Sequence, residues 1–142
     1  RVDVISINDE EARQLTQKYS LVEAAQELQA MGPKYVVIKK GEHGALLFNG
    51  NDIFCAPGLP LEEVFDPTGA GDSFIGGFSA YLVQSKSINF KEMKTAVIVG
   101  SAMASFTVQE FGTAALEKMT YAQLAQRIKK FKSLTEFEIE LI

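Results

Sequence analysis

The first forty residues alternate between two hydrophobic periods, which restricts the chain to folds that combine strands with helices. Residues 2–7 place apolar side chains at every second position, as a half-buried strand does. Residues 9–18 and 21–31 follow with helical spacing, and an apolar run over 35–39 predicts a second, buried strand. Because strands alternate with helices here and the later half of the chain is helical, the sequence predicts a layered α/β domain.

Turn signals separate the remaining predicted elements. A Gly-Glu-His-Gly turn at 41–44 leads to a strand over 45–48, and Asn-Gly-Asn-Asp at 49–52 has the residues of a tight hairpin turn before a strand over 53–56. The tail 136–141 alternates apolar and polar residues and is predicted to be a last strand. Helices are predicted over three later segments, 71–85, 93–108 and 121–131.

Composition argues against several classes of function. The 142 residues carry a formal net charge of −4, which argues against nucleic-acid binding. Cys55 is the only cysteine and His43 the only histidine, so the sequence offers neither an internal disulfide nor the usual zinc ligand sets. No apolar run approaches the roughly 20 residues that a membrane helix needs. We therefore expect a cytoplasmic protein whose partners include neither nucleic acid nor a membrane.

Residues 66–78, with the sequence DPTGAGDSFIGGF, have the clearest chemical meaning. Gly69, Ala70 and Gly71 carry almost no side chain and lead into a predicted helix, so their N–H groups and the positive helix end can hold an anion. Asp72 lies in the first turn of that helix, where a carboxylate can cap the helix or accept a proton from a hydroxyl. An anion site beside a general base is what phosphoryl transfer to an alcohol requires.

Two common glycine motifs do not fit this segment. A dinucleotide fingerprint needs glycine where the chain has Phe74, and the Gly-Lys-Ser/Thr triplet of a P-loop does not occur. Three interpretations of the segment are a kinase, a noncatalytic module that binds a nucleotide or phosphate, and a pyridine-nucleotide-binding domain. The pyridine-nucleotide-binding domain is therefore the least supported, and the noncatalytic module is the main alternative to a kinase. Asp72 counts against that module, because a carboxylate beside an anion site repels phosphate.

Three segments, in this order along the chain, resemble elements of the ribokinase family, the PfkB-type carbohydrate and nucleoside kinases. Residues 8–11 (Asn-Asp-Glu-Glu) resemble its Asn-x-x-Glu element, residues 38–44 its nucleotide-binding strand and Gly-x-x-Gly turn, and residues 66–78 its C-terminal signature. The resemblance extends from Val2 to about Ala122. It implies an α/β/α ribokinase-like, Rossmann-like fold and ATP-dependent transfer of the γ-phosphoryl group to a hydroxymethyl group of a sugar or of a nucleoside such as adenosine.

The resemblance also implies roles for single residues. Asp72 would be the catalytic base, and Gly69, Ala70 and Gly71 would form the anion hole for the transferring phosphate. Glu11 would hold Mg²⁺ through water, together with Asn8. Strand ends, a turn and a helix of small residues would line the ATP. The residues concerned are Asn8, Lys39, Gly41, Gly44, Gly100 and Ser101. Lys39 departs from the family, in which many members have Thr or Ser at this position.

A second cation is implied less directly. Asp66 and Thr68 would help to bind a monovalent cation such as K⁺.

These segments also have purely structural interpretations: residues 8–11 as a helix capping box, residues 41–44 as an ordinary hairpin turn, and residues 96–105 as a site of close packing. The glycine-rich loop can likewise be a tight connection whose following aspartate caps the helix.

The family members are longer than this chain, and their N-terminal half carries a Gly-Gly motif, the sugar pocket and a β-sheet lid. We therefore expect residues 1–142 to be the C-terminal, nucleotide-binding part of a single kinase domain, truncated at the N-terminus and inactive alone. The strand over 2–7 would then lie at an unpaired sheet edge, which favours self-association, for example as a homodimer.

Overall fold

A computed structural model describes residues 2–61, 68–109 and 117–141. Within these ranges four strands and five helices follow the order expected from the alternating periods. They are β1 (Val4–Asn8), α1 (Asp9–Thr16), α2 (Leu21–Ala30), β2 (Tyr35–Lys39), β3 (Ala45–Asn49), β4 (Asp52–Ala56), α3 (Ala70–Gln84), α4 (Phe90–Gln109) and α5 (Tyr121–Thr135).

The strands form one mixed sheet in the order β1-β2-β3-β4. β1 and β2 are parallel and are joined by α1 and α2, whereas β3 and β4 continue antiparallel from β2. The parallel register pairs Asn8 with Lys39, the last residue of each strand. The carboxyl ends of β1 and β2 therefore meet at the same edge of the sheet.

Helices cover both faces of this sheet. Successive strand residues point to opposite faces, and Val36 and Val37 accordingly belong to two different buried clusters. Val36 packs with the buried residues of α1 and α2, including Leu28. Val37 packs with α3 and α4, including Phe74 and Met93. This arrangement confirms the predicted α/β/α layers.

Element boundaries depart from the predicted ones at the helix ends. α4 begins at Phe90 rather than at residue 93, since the side chain of Asn89 accepts a hydrogen bond from the Glu92 N–H (2.9 Å) and supports an earlier start. α5 runs to Thr135, four residues beyond the predicted end. No helix of the described ranges is both long and apolar enough to cross a membrane.

The prediction of a last strand over 136–141 is wrong. These residues form no regular element, and the side chains of Phe137 and Leu141 are 80% and 86% exposed. An alternating pattern produces a strand only where another strand supplies hydrogen-bond partners. The tail pairs with no strand of the described sheet.

Glycines set the close contact between α3 and α4. A Cβ atom added to Gly77 would lie 2.6 Å from the Met103 Cγ, and one added to Gly100 would lie 2.7 Å from the carbonyl oxygen of Phe74. Both distances are far below van der Waals contact. The stretch of small residues in α4 therefore serves close packing between two helices.

We expect Gly100→Ala to destabilise the fold by about 1–3 kcal/mol, the usual cost of inserting a methyl group into a packed interior. Gly76→Ala in α3 is the matched control, because a Cβ atom added to Gly76 meets nothing within 4 Å. It should stabilise the protein by about 0.5–1 kcal/mol, since alanine is the better helix former. Urea unfolding followed by circular dichroism measures both, and equal effects would contradict the packing role of Gly100.

Candidate active site

A cleft of about 370 Å³ lies where the carboxyl ends of β1 and β2 meet the first turn of α3. Open α/β sheets commonly bind ligands at this edge. The cleft brings together residues from six separate segments of the chain. Of the residues predicted to hold the nucleotide or its phosphates, those that line it are Asn8, Lys39, Gly41, Gly44, Ala70, Gly71 and Ser101.

The start of α3 offers backbone donors to this cleft. Gly69 is the N-cap, with φ of 84°, a left-handed conformation that favours glycine. The first helical hydrogen bond runs from the Ser73 N–H to the Gly69 carbonyl (3.0 Å), so the N–H groups of Ala70, Gly71 and Asp72 have no helical partner. The N-cap Gly69 has no side chain with which to cap them. Donors without a helical partner at the positive end of a helix form an anion site.

Lys39 places a positive charge beside these donors. A Cβ atom built on Gly71 would lie 3.5 Å from the Lys39 Nζ, and the same Nζ lies 5.6 Å from the centre of the Phe74 ring. Lys39 forms no ion pair with a carboxylate in the described parts of the chain. A cation next to the positive end of a helix is unfavourable without a counter-charge. A bound anion would therefore stabilise the Lys39 ammonium and the helix end together.

Asp72 is exposed on the first turn of α3 and does not line the cleft wall. Its neighbour Ser73 is buried and shares a 2.6 Å hydrogen bond with Thr107 of α4, which fixes this turn against α4. Asp72 thus lies on the solvent side of a firmly held turn, next to the cleft-lining Gly71. From this position a carboxylate can accept a proton from a hydroxyl that approaches from outside the cleft.

Asn8 links the edge of the sheet to Glu11. Its Oδ1 accepts a hydrogen bond from the Glu11 N–H (2.7 Å) as the N-cap of α1, and its Nδ2 donates to the Glu11 carboxylate. Asn8 therefore caps a helix while lining the cleft. In the described ranges no group of three or more His, Cys, Asp and Glu side chains could hold a metal ion. A Mg²⁺ ion at Glu11 fits a site completed by waters and substrate phosphates, as Mg²⁺ sites usually are.

The Gly41–His43 segment is a single 3₁₀ turn that ends at Gly44. Gly44 has a φ of 91°, and a Cβ atom there would lie 2.1 Å from the Ala56 carbonyl oxygen. Gly58 faces it from the loop after β4, where an added Cβ would lie 1.8 Å from the Glu42 carbonyl oxygen. The turn and the loop therefore interlock through two glycines, and sequence reasoning missed Gly58.

One face of α4 forms a further wall of the cleft. Ser101, Ala104, Ser105 and Val108 follow the i, i+3, i+4, i+7 spacing of a single helix face, and all four line the cleft. The helical spacing of the sequence could have identified this face. Phe131 of α5 also lines the cleft, but its place depends on how α5 packs, which no local pattern reveals.

Other predicted site residues lie elsewhere. Gly100 is buried in the contact between α3 and α4 and does not line the cleft. Glu11 and Thr68 are exposed, and they too lie outside the cleft wall. Asp66 falls outside the described residues.

Comparison with known proteins places this geometry in context. The sequence model of one family, described as pfkB family carbohydrate kinase, matches residues 1–119. A cytidine kinase from Thermococcus kodakarensis is 43% identical over 82 residues, which cover 56% of this chain and 29% of that protein. A nucleoside kinase from Methanothermobacter thermautotrophicus is 34% identical over 112 residues, covering 78% of this chain and 32% of that protein. The chain thus spans about a third of the length of these relatives.

A solved structure shares the fold. The fructokinase of Vibrio cholerae O395, in its fructose, ADP and calcium ion bound form, superposes with a TM-score of 0.80 at 27% identity. The match covers 89% of this chain and 41% of the fructokinase chain. The layered sheet and its helices are therefore similar to one part of a larger kinase structure.

We expect Gly44→Ala to shift the turn that lines the cleft, because the new Cβ atom would overlap the Ala56 carbonyl oxygen. Gly50→Ala is the matched control: it also requires a left-handed residue (φ 59°) but has open space around the added atom. The free energy of unfolding of the Gly50→Ala control should fall by about 1–2 kcal/mol, the cost of the left-handed conformation alone. That of Gly44→Ala, measured by urea unfolding, should fall by clearly more. An equal fall in both variants would contradict the interlock of the turn and the loop.

Proposed function

Because the chain belongs to the pfkB family of carbohydrate kinases, we propose that it is the C-terminal, nucleotide-binding part of an ATP-dependent kinase domain that phosphorylates a hydroxymethyl group of a sugar or nucleoside. The observation that carries the proposal is the first turn of α3. There the Lys39 ammonium lies beside Gly71, the N–H groups of Ala70 and Gly71 have no helical partner, and the Asp72 carboxylate follows in the same turn.

The proposed reaction uses these groups in fixed roles. The Ala70 and Gly71 N–H groups and the Lys39 ammonium hold the phosphate oxygens of ATP and stabilise the charge that develops on them. Asp72 accepts the proton of the acceptor hydroxyl as its oxygen forms a bond to the γ-phosphorus. The bond between that phosphorus and the β–γ bridging oxygen breaks, and ADP leaves. The products are a phosphate ester, ADP and a proton held by Asp72.

Cations complete the proposed site. Bound Mg²⁺ would neutralise charge on the phosphate oxygens. Glu11, oriented by its hydrogen bonds to Asn8, would receive a metal-bound water at the edge of the cleft. Asp66 and Thr68 remain proposed ligands of a monovalent cation such as K⁺.

The acceptor class stays open between two chemistries. The cytidine and nucleoside kinases support a nucleoside acceptor, whereas the fructose-bound structure supports a sugar. Members with both kinds of acceptor share the fold seen here, so the fold does not choose between them.

The second candidate function is a noncatalytic nucleotide-binding module, which would use the same cleft without turnover. The exposed Asp72 favours the kinase, because such a module has no use for a carboxylate beside its phosphates.

Asp72→Asn in the full-length protein should lower kcat by about 10²–10⁴-fold, the usual contribution of a general base. The affinity for ATP should change little, because the backbone donors remain. Asp52→Asn, at the exposed start of β4, makes the same charge change away from the cleft and should leave kcat unchanged. Steady-state assays with sugars and nucleosides measure these values. A kcat for Asp72→Asn within threefold of the unmodified enzyme would refute the assignment.

Lys39→Met should weaken ATP binding by about tenfold or more, since a hydrogen bond to a charged group contributes about 1.5–3 kcal/mol. Lys40→Met is the matched control, because it removes the same charge from a neighbouring residue that does not line the cleft. Isothermal titration with ATP, in the presence of Mg²⁺, compares the two. If both variants bind ATP equally well, the Lys39 ammonium does not contact the phosphates.

A further inference from the structure

Arg127 joins α5 to α4 through both arms of its guanidinium group. One arm donates to the Ser105 Oγ (2.8 Å) and the other to the Gln109 Oε1 (2.8 Å). The guanidinium carbon also lies 4.0 Å from the centre of the Phe106 ring, within range of a cation–π interaction. Ser105 in turn donates to the Ala102 carbonyl (2.6 Å), so its hydroxyl is oriented to accept from Arg127.

α5 buries one large side chain. Phe131 is its only fully buried side chain, with 2% exposure, and most of its remaining residues are half-buried or exposed. Arg127 and Phe131 are four residues apart and therefore share one face of the helix. Leu124 and Ile128 are half-buried beside them, and Arg127 adds a bidentate polar contact to α4, so it helps to fix where Phe131 lies.

Phe131 lies at the apolar part of the cleft. The donors suited to phosphate are Lys39 and the start of α3, whereas the wall made by α4 and α5 carries the apolar side chains of Ala104, Val108 and Phe131 beside the hydroxyls of Ser101 and Ser105. A nucleotide has the same division, with a charged triphosphate at one end and a flat, weakly polar base at the other. The base therefore fits the apolar wall when the phosphates lie at the start of α3.

We propose that Arg127 is a positioning residue for the nucleotide: by clamping α5 to α4 it holds Phe131 against the base-binding part of the cleft, and it thereby sets affinity for the base without acting on phosphoryl transfer. This proposal rests on the proposed function. Burial lowers the pKa of the Arg127 guanidinium, which agrees with its half-buried position between α4 and α5. Arg127 itself lies beyond residue 119, where the family match ends, whereas its partners on α4 lie within the match.

The test separates binding of the base from binding of the phosphates. In the full-length protein, Arg127→Met should raise the dissociation constant for ATP by about tenfold, as expected when one charged hydrogen-bond network is lost. The affinity for inorganic tripolyphosphate, which has no base, should stay the same. Arg127→Lys, which can reach only one of the two acceptors, should fall between. Lys129→Met is the control for charge on an exposed residue of α5 and should change neither affinity.

Each outcome decides a different question. Equal loss of ATP and tripolyphosphate binding in Arg127→Met would show a general structural role and overturn the proposal. Unchanged ATP binding would overturn it as well. If the unmodified protein binds neither ligand, the proposed function itself fails. Should Arg127→Met not fold in a thermal scan, Gln109→Ala removes one acceptor of the same clamp, and a rise of about threefold in the ATP dissociation constant alone supports the proposal. In kinetic assays Arg127→Met should raise the KM for ATP and leave kcat unchanged.

Discussion

The close contact between α3 and α4 is the interaction on which the rest of the site depends. Gly77 and Gly100 let the two helices approach until the Gly100 backbone meets Phe74, and Ser73 bonds to Thr107 near the end of the same contact. This packing holds the first turn of α3 beside the carboxyl ends of β1 and β2. It also presents one face of α4 to the cleft. A helix N-terminus is useful as an anion site only when it is held at a fixed place.

Local patterns predicted the layers and much of the cleft. Gly71 could be selected from its loop of small residues before a helix, whereas Asn8 and Lys39 were selected through the resemblance to the kinase family. Contacts made between distant segments could not be read in this way. Gly58 faces Glu42 across a loop, and Phe131 reaches the cleft only through the docking of α5. The predicted strand over 136–141 failed for the same reason, since pairing depends on a partner that the local sequence does not specify.

Structural and functional interpretations of one residue are compatible in this fold. Asn8 is a helix cap and also part of the cleft wall, and the small residues of α4 serve both packing and the cleft on different sides of one helix. Gly100 faces α3, whereas its neighbour Ser101 faces the cleft. The periodicity of a helix assigns the two tasks to adjacent positions, so a run of small residues does not by itself distinguish them.

The interlocked glycines at 44 and 58 couple two segments that are distant in sequence. The space that a side chain would need at Gly44 is filled by the Ala56 carbonyl oxygen, and the space at Gly58 by the Glu42 carbonyl oxygen. Neither position can accept a larger residue while the backbone around the other stays in place. Substitutions at the two sites are therefore expected to be non-additive. During divergence the pair would behave as one unit, kept together or replaced together with a new path for both loops.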